Sequence, residues 1–323
     1  MLEKEEIDKI HVAFDATHKN RVKINENYSH VRDFLNENGF VCYNFTDPMT
    51  HENLRSFDIL VIGCPDFSKL SRQEISYIER WVLEDGGGLL LLSHAGGDKG
   101  RNSNLSELSE RFGIAFENDQ VLDEISNLGF ENLPIIHDFR PPHPITEGIT
   151  SLCYRAGCSL TIIGNALSIA YSNESSEPFS SPLICVAEPE NGKVCAIGSY
   201  EMFRNEIGGG FNHDQHSTLA LNIFKWLLSD FRLELKSKGL IPTPEVAVQE
   251  FISESSSSIQ GQEAAEKISE PRVAIDIKIS NKSDLMNLLK TFSSQINTIQ
   301  KTINQLISAI LTDFDLTVNQ TKG

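Results

Sequence analysis

The sequence has no apolar run that approaches the roughly 20 residues needed to span a bilayer. Its first nine residues, Met1 to Lys9, are polar and charged, and so lack the apolar core of a secretion signal. Together these absences predict a soluble, cytoplasmic protein without a secretion signal or a transmembrane segment.

Basic residues are scarce. The chain has 28 Lys and Arg against 45 Asp and Glu, a net charge of −17, and no basic stripe is visible along it. Binding of a nucleic-acid backbone requires clustered Lys and Arg, because each contacted phosphate must be neutralised. The composition therefore argues against a nucleic-acid partner.

Cysteine pairs of the C-x-x-C type are also absent. Free thiols buried as small apolar groups in a reducing compartment explain the cysteines best, with disulfides or metal ligation as the alternatives. The six are Cys42, Cys64, Cys153, Cys158, Cys185 and Cys195.

Apolar residues make up 40% of the chain, and in the first half they follow strand and helix periods in turn. Apolar residues with strand spacing are followed by apolar residues with helical spacing, and a glycine or a capping box marks a helix boundary. The resulting succession β-α-β-α-β-α predicts right-handed crossovers and a parallel sheet. The predicted strands are 10–14, 41–45, 59–62 and 89–92, and the predicted helices cover 28–35, 72–82 and 105–112.

The second half is more densely punctuated, with an extended proline loop at 140–144 and short strand candidates at 160–163 and 167–171. Asn191-Gly192 is a strong hairpin signal between two predicted strands, 183–187 and 194–198. A last helix is expected to end near Asp230. These features predict one α/β domain over residues 1–232.

The composition changes after that domain. Residues 233–271 are acidic and rich in serine, which predicts a flexible linker. Residues 272–280 then alternate as in a strand or a short binding motif. The final segment, 272–323, also carries a heptad pattern that predicts a coiled-coil helix, formed by Leu285, Leu289, Phe292, Ile296, Ile299, Ile303, Leu306 and Ile310.

Pairing of this helix with another helix would explain the strict three-four period, whereas packing back on the α/β domain is the simpler alternative. Outer positions are mostly Asn, Gln, Ser and Thr, so charges do not specify the partner. The expected role is self-association or attachment to a protein partner.

The turn after strand 89–92 is the candidate site for chemistry, because ligands in α/β sheets bind beyond the carboxyl ends of strands. The triple glycine Gly86, Gly87 and Gly88 precedes the strand as a structural feature, and the turn after it consists of Ser93, His94, Ala95, Gly96 and Gly97. Its glycines could present backbone N–H groups to a small molecule or peptide. A purely structural tight turn is the main alternative to ligand binding.

Catalysis at the turn is the weaker hypothesis. Ser93 beside His94 makes a hydrolase acting on a small or carbohydrate substrate conceivable, but Leu91 and Ala95 stand where a G-x-S-x-G elbow needs glycine. Two other sites have equally ordinary explanations. His213, Asp214 and His216 do not have a recognised zinc spacing, so we expect Asp214 to cap the last helix and both histidines to be solvated. Cys64 has no cationic neighbour in the sequence and is expected to be buried.

Several strings resemble the GIFT domain, an amidotransferase-like domain at the N-terminus of an intraflagellar transport complex B subunit, within the class I glutamine amidotransferase-like superfamily. The matching strings are 77–92, 103–105, 110–114, 117–121, 143–149 and 221–227. Amidotransferases have a cysteine where Ser93 or His94 stands, so their catalytic triad does not carry over.

The resemblance covers about residues 8–230 and implies a flavodoxin-like parallel sheet flanked by helices and a non-enzymatic role. We therefore expect a non-catalytic scaffold or recognition module with no metal and no cofactor, joined by its C-terminal coiled coil to an assembly related to intraflagellar transport or gliding.

Overall fold

The computed structural model describes residues 9–205 and 207–244. The predicted linker from residue 245 onward, the strand-like segment 272–280 and the heptad segment 285–310 lie outside the described residues.

A seven-stranded sheet forms the centre of the α/β domain. Five strands are parallel in the order β2-β1-β3-β4-β13. Beyond β13 the sheet is extended by β12, which pairs antiparallel with β13, and by β10, which pairs antiparallel with β12. These strands are β1 (Ile10–Asp15), β2 (Phe40–Phe45), β3 (Ile59–Gly63), β4 (Gly88–Leu92), β10 (Leu167–Tyr171), β12 (Pro182–Ala187) and β13 (Lys193–Ile197). The parallel order 2-1-3-4-5 is that of flavodoxin-like folds, so the predicted fold class is confirmed for this part of the chain.

Three two-stranded sheets lie in the connections. They pair β5 (Ile114–Phe116) with β9 (Leu160–Ile162), β6 (Leu122–Asp123) with β11 (Ser176–Glu177), and β7 (Ile135–Ile136) with β8 (Leu152–Cys153). The hairpin predicted around Asn191-Gly192 is confirmed, because β12 and β13 pair antiparallel on either side of it.

The four helices predicted in the α/β domain are present, and the described residues add three that were not predicted. The helices are α1 (Ser29–Glu37), α2 (His51–Leu54), α3 (Arg72–Asp85), α4 (Gly97–Arg101), α5 (Leu105–Ser109), α6 (His216–Trp226) and α7 (Asp230–Ser237). The additions are two short helices, α2 and α4, and α7 at the end. Helix α3 begins with the predicted capping box, in which Ser71 and Glu74 satisfy each other's backbone N–H groups. No helix within 9–205 and 207–244 is long and apolar enough to cross a membrane.

The core covers both faces of the sheet. On β1, Val12 and Phe14 pack with helices α1 and α6, while Ala13 between them packs with α3 on the opposite face. The same alternation along β3 explains its uninterrupted apolar sequence, since every side chain of a central parallel strand is buried on one face or the other.

Each position of the triple glycine has a separate reason to lack a side chain. Gly86 ends α3 in the left-handed region with φ +70°. A Cβ on Gly87 would overlap the indole of Trp81, and one on Gly88 would lie 2.6 Å from the carbonyl oxygen of Leu227. The segment therefore lets helix α3 and the chain after α6 approach the start of β4 closely.

Helix α7 continues the fold past residue 232, where the domain was expected to end. Ser229 caps its N-terminus, and Arg232 is buried with 1% exposure against Asp58 at the start of β3. Residues 233–237, expected to belong to the linker, are helical. The polar sequence hid this helix because its buried residue is an arginine and not an apolar side chain.

Candidate functional site

The carboxyl ends of β1, β3, β4 and β13 lie side by side at one edge of the sheet. The chain leaves β1 toward β2 on one side and later enters β3 on the other, so this edge contains the topological switch point of the parallel sheet. In open α/β sheets, ligands bind in the crevice outside that point. The turn after β4 lies at the same edge.

Backbone geometry explains the glycines of the turn. Gly96 and Gly97 have φ of +85° and +50°, and a Cβ on Gly97 would overlap the carbonyl oxygen of Glu117. Four of the turn's five N–H groups are already used: Ser93 donates to Ile197 O (2.9 Å), Ala95 to Ala156 O (2.9 Å), Gly96 to Asp119 O (2.7 Å) and Gly97 to His94 O (3.0 Å). A ligand would therefore meet the side chains around this turn more readily than these four amides.

The serine and the histidine of the turn have different partners. Ser93 is buried and lies close to the thiol of Cys158, which itself donates to Gly198 O at 3.7 Å. The ring of His94 contacts Ala95 O through Nδ1 (3.3 Å) and a Glu201 carboxylate oxygen through Nε2 (3.6 Å). Among the described residues no hydrogen bond joins Ser93 to His94, so the arrangement needed to activate a serine is not assembled.

Glu201, which follows β13, is the centre of the charged groups at this edge. It accepts from Arg155 at 2.8 Å and from Arg204 at 3.0 Å, in addition to its contact with His94. Burial alone would raise its pKa, but the hydrogen bond and charge of His94 and the charges of both arginines lower the pKa of Glu201 to about 2.

A second carboxylate extends this group toward β3. Asp66 binds Arg21 at 3.0 Å and faces Arg101 at 3.7 Å. Arg21 also lies close to the hydroxyl of Tyr200, which donates to a Glu201 carboxylate oxygen at 3.4 Å. We call this set the arginine network; it comprises Arg21, Arg101, Arg155 and Arg204 with Asp66, Glu201, His94 and Tyr200.

Sequence reasoning missed the arginine network. Its arginines are far apart in the sequence, with 183 positions between Arg21 and Arg204, so no local motif contains two of them. The available signal was positional: Asp66, His94 and Glu201 each follow a strand that belongs to the parallel sheet. Parallel strands bring such positions together at one edge.

A buried carboxylate-imidazole-carboxylate group lies at the end of β1. His18 contacts Asp15 through Nδ1 at 2.9 Å and Glu74 through Nε2 at 3.4 Å, and it is only 5% exposed. Burial acts to lower the pKa of His18, but the hydrogen bond and charge of Asp15, with help from Glu74, raise it overall. The group connects the end of β1 to the capping box of α3.

The histidines near residue 214 differ from their expected state. His216 is fully buried, its Nδ1 lies 2.8 Å from both Met202 O and Gly210 O, and its Nε2 accepts from Cys153 N at 3.0 Å. Burial lowers the pKa of His216 to about 4, so the ring is neutral and forms hydrogen bonds with backbone groups. The expectation that it is solvated and that Asp214 caps helix α6 was wrong, because Gln215 occupies the cap position.

The cysteines are mostly buried, as predicted: Cys42 is half-buried and the other five are buried. Burial raises the pKa of Cys64 to about 12, which makes it a poor nucleophile. The described residues contain no group of three His, Cys, Asp or Glu side chains arranged to hold a metal ion.

Comparison with known proteins was consistent at the levels of sequence and fold. Residues 11–126 match the model of the IFT52 GIFT domain. The Homo sapiens intraflagellar transport protein 52 homolog is 21% identical over 239 residues, covering 67% of this chain and 53% of that protein. The Mus musculus homolog is likewise 21% identical, over 240 residues. The chain therefore spans about half the length of the curated relatives it matches.

Two solved structures share the fold. The mmIFT52 N-terminal domain superposes with a TM-score of 0.61 at 20% identity, covering 68% of this chain and 97% of that one. A cytoplasmic protein from Salmonella typhimurium superposes with a TM-score of 0.51 at 14% identity, covering 68% and 100%. The resemblance to GIFT domains that the sequence indicates is confirmed over the region that these comparisons cover.

Proposed function

We propose that the chain is a non-catalytic assembly subunit whose α/β domain recognises a protein partner and whose C-terminal heptad segment joins it to an oligomer or a larger complex. The observation that carries the first half is the state of the turn after β4. Its serine is buried and its histidine faces Glu201, so the position where an enzyme of this fold would present a nucleophile serves packing and charge pairing.

The relatives supply the biological context of the proposal. Two of the curated proteins that match are named for intraflagellar transport, and a family model of the IFT52 GIFT domain matches residues 11–126. We infer for this chain a role in an assembly related to intraflagellar transport, with protein partners and no chemical step of its own.

The second half of the proposal rests on the heptad pattern in the sequence. Its a and d positions, from Leu285 to Ile310, form an apolar stripe that another helix would bury. Isoleucine at the a positions favours two strands when leucine occupies d, but Phe292 and Ile299 at d leave dimer, higher oligomer and heteromeric pairing open.

Light scattering of the full chain after size-exclusion chromatography tests the oligomer. The variant Ile299→Asp/Ile303→Asp places charge at apolar a and d positions, which pairing of the helices would bury. Its control, Asn297→Asp/Asn304→Asp, adds the same charge at outer positions. Wild type and control should have the same molar mass, above that of one chain, and Ile299→Asp/Ile303→Asp should have the mass of a single chain. A monomeric wild type, both alone and when mixed with a lysate fraction containing its natural complex, would refute the coiled-coil proposal.

A further inference from the structure

The arginine network has the opposite charge from the protein as a whole. The chain carries a net charge of −17, yet four arginines of the arginine network face only two carboxylates there. All four are partly exposed, with side-chain exposures between 21% and 36%. Local positive charge on an acidic protein attracts acidic groups and excludes other copies of the same surface.

The network also has more hydrogen-bond donors than acceptors. Each guanidinium has five N–H donors in a rigid fork, whereas Asp66 and Glu201 together offer four oxygens. Two donors of the network, the Nε groups of Arg101 and Arg204, and one acceptor, Asp66 Oδ1, are shielded from solvent and have no hydrogen-bond partner among the described residues. Donors in this state favour an additional acceptor, and a carboxylate fits the fork geometry.

An exposed aromatic side chain stands at one end of the network. Phe67 follows Asp66 directly, its N–H donates to Arg101 O at 2.8 Å, and its side chain is 70% exposed. Its φ of +50° lies in the left-handed region, which is strained for a bulky residue. The structure holds this backbone strain while presenting the ring to solvent, a combination typical of recognition sites.

A hydrogen-bonded loop presents a second apolar group on the Arg155 side of the network. Asp123 accepts from the N–H groups of Ile125 and Ser126 at 2.9 and 2.8 Å, and the loop beyond them exposes Ile125 by 83% and Phe130 by 70%. The same loop contacts the network's own segment, since Asn132 O accepts from Ala156 N at 2.9 Å, next to Arg155.

We propose that this edge binds an acidic peptide segment of a protein partner, with an aromatic or aliphatic residue beside its carboxylates. Arginine and aromatic residues are the residue types enriched at the hot spots of protein interfaces. A small anion would use the guanidinium groups but not Phe67 or Phe130. The proposal deepens the partner-recognition role proposed above and depends on that role.

Fluorescence anisotropy with the full chain tests the proposal. The probe is a short labelled peptide of glutamates with one central phenylalanine; a second probe replaces the phenylalanine with alanine, and inorganic phosphate serves as competitor. Arg101→Gln/Arg204→Gln removes two charges while Arg21 and Arg155 still pair both carboxylates. Its control, Arg80→Gln/Arg111→Gln, removes two charges from exposed arginines on α3 and after α5.

The first probe should bind the wild type and the control alike, and the network variant should bind it about tenfold more weakly. Added salt should weaken binding. Phe67→Ser should weaken the first probe and not the second, whereas Leu240→Ser, at the opposite edge, should change neither. The single variants Arg101→Gln and Arg204→Gln provide the same comparison if the double variant does not fold.

Equal affinity of network variant and control, or no binding to the wild type, would overturn the proposal. Competition by phosphate together with equal binding of both probes would also overturn it, in favour of a small-anion site. Neither outcome changes the light-scattering result for the heptad segment, so failure of this site is distinguishable from failure of the assembly role.

Discussion

Arg232 and Asp58 form an ion pair in which each side chain is 1% exposed, and replacing Arg232 with methionine tests whether helix α7 is part of the folded domain. Methionine retains much of the volume of the side chain but removes its charge and all of its donors. Asp58 would keep a hydrogen bond from His11 N (2.8 Å) and its contact with Lys236, so its charge would be only partly compensated.

The expected cost follows from what is left unpaired. Removing one partner of a buried ion pair costs about 3–5 kcal/mol. Arg232 also donates to the carbonyl oxygens of Arg55 (2.7 Å), Phe57 (2.6 Å) and Asp85 (3.3 Å), and each buried acceptor left without a partner adds about 1 kcal/mol. Because Lys236 remains beside Asp58 and these costs are not additive, we expect a loss of about 3 kcal/mol.

Urea unfolding followed by tryptophan fluorescence measures this loss. Both tryptophans, Trp81 and Trp226, are buried in the α/β domain, so the signal reports that domain and not the C-terminal segment. The control is Arg80→Met, which breaks an exposed pair with Glu84 and should cost under about 0.5 kcal/mol.

A double variant, Asp58→Asn/Arg232→Met, should be more stable than the sum of its single variants predicts, because the uncompensated carboxylate is gone. The reasoning fails if Arg232→Met unfolds within about 0.5 kcal/mol of the control. In that case α7 would be an appendage, and the domain could end where the sequence suggested.

Three further predictions concern the interior and the edge. Gly87→Ala should cost about 1–3 kcal/mol in the same urea assay, because its Cβ meets the buried indole, whereas Gly100→Ala, with only one backbone atom at 3.4 Å, should be nearly neutral; equal effects would contradict this account of the close approach. Ser93→Ala should leave hydrolysis of esterase, glutaminase and glycosidase substrates at background; turnover in wild type that the variant loses would establish an enzyme. His18 has a raised pKa, so its contribution to stability is complete below its unfolded pKa of about 6.5 and is lost as pH rises through the higher folded pKa; wild type should lose stability relative to His18→Gln as the pH is raised above about 6.5, and parallel curves would contradict this.

Local signals predicted most of the fold. The capping box at Ser71, the glycine after α1 and the Asn191-Gly192 turn specify their structures within a few residues, and all three occur in the structure as expected. The strands β3 and β4 were recognisable because continuous apolar runs indicate burial on both faces. Such patterns depend on neighbours in the sequence and need no knowledge of the tertiary fold.

The parts that were missed depend on distant residues. Helix α7 buries Arg232 against Asp58, 174 positions away, so its sequence has the polarity of a linker. The orientation of Ser93 toward Cys158 likewise follows from packing between separate elements. A single sequence contains these residues but not their proximity, and the arginine network is therefore visible only in three dimensions.

The position of helix α7 bears on how many partners the molecule could hold at once. Lys236 and Arg232 anchor this helix at the amino edge of the sheet, beside Asp58, and the chain continues from there toward its C-terminal segment. The arginine network lies at the carboxyl edge, separated by the length of β3, about 16 Å at 3.3 Å per residue. A ligand at the arginine network would therefore not compete for space with one at helix α7. If one chain makes both of the interactions proposed above, binding of the first partner raises the effective concentration of the second.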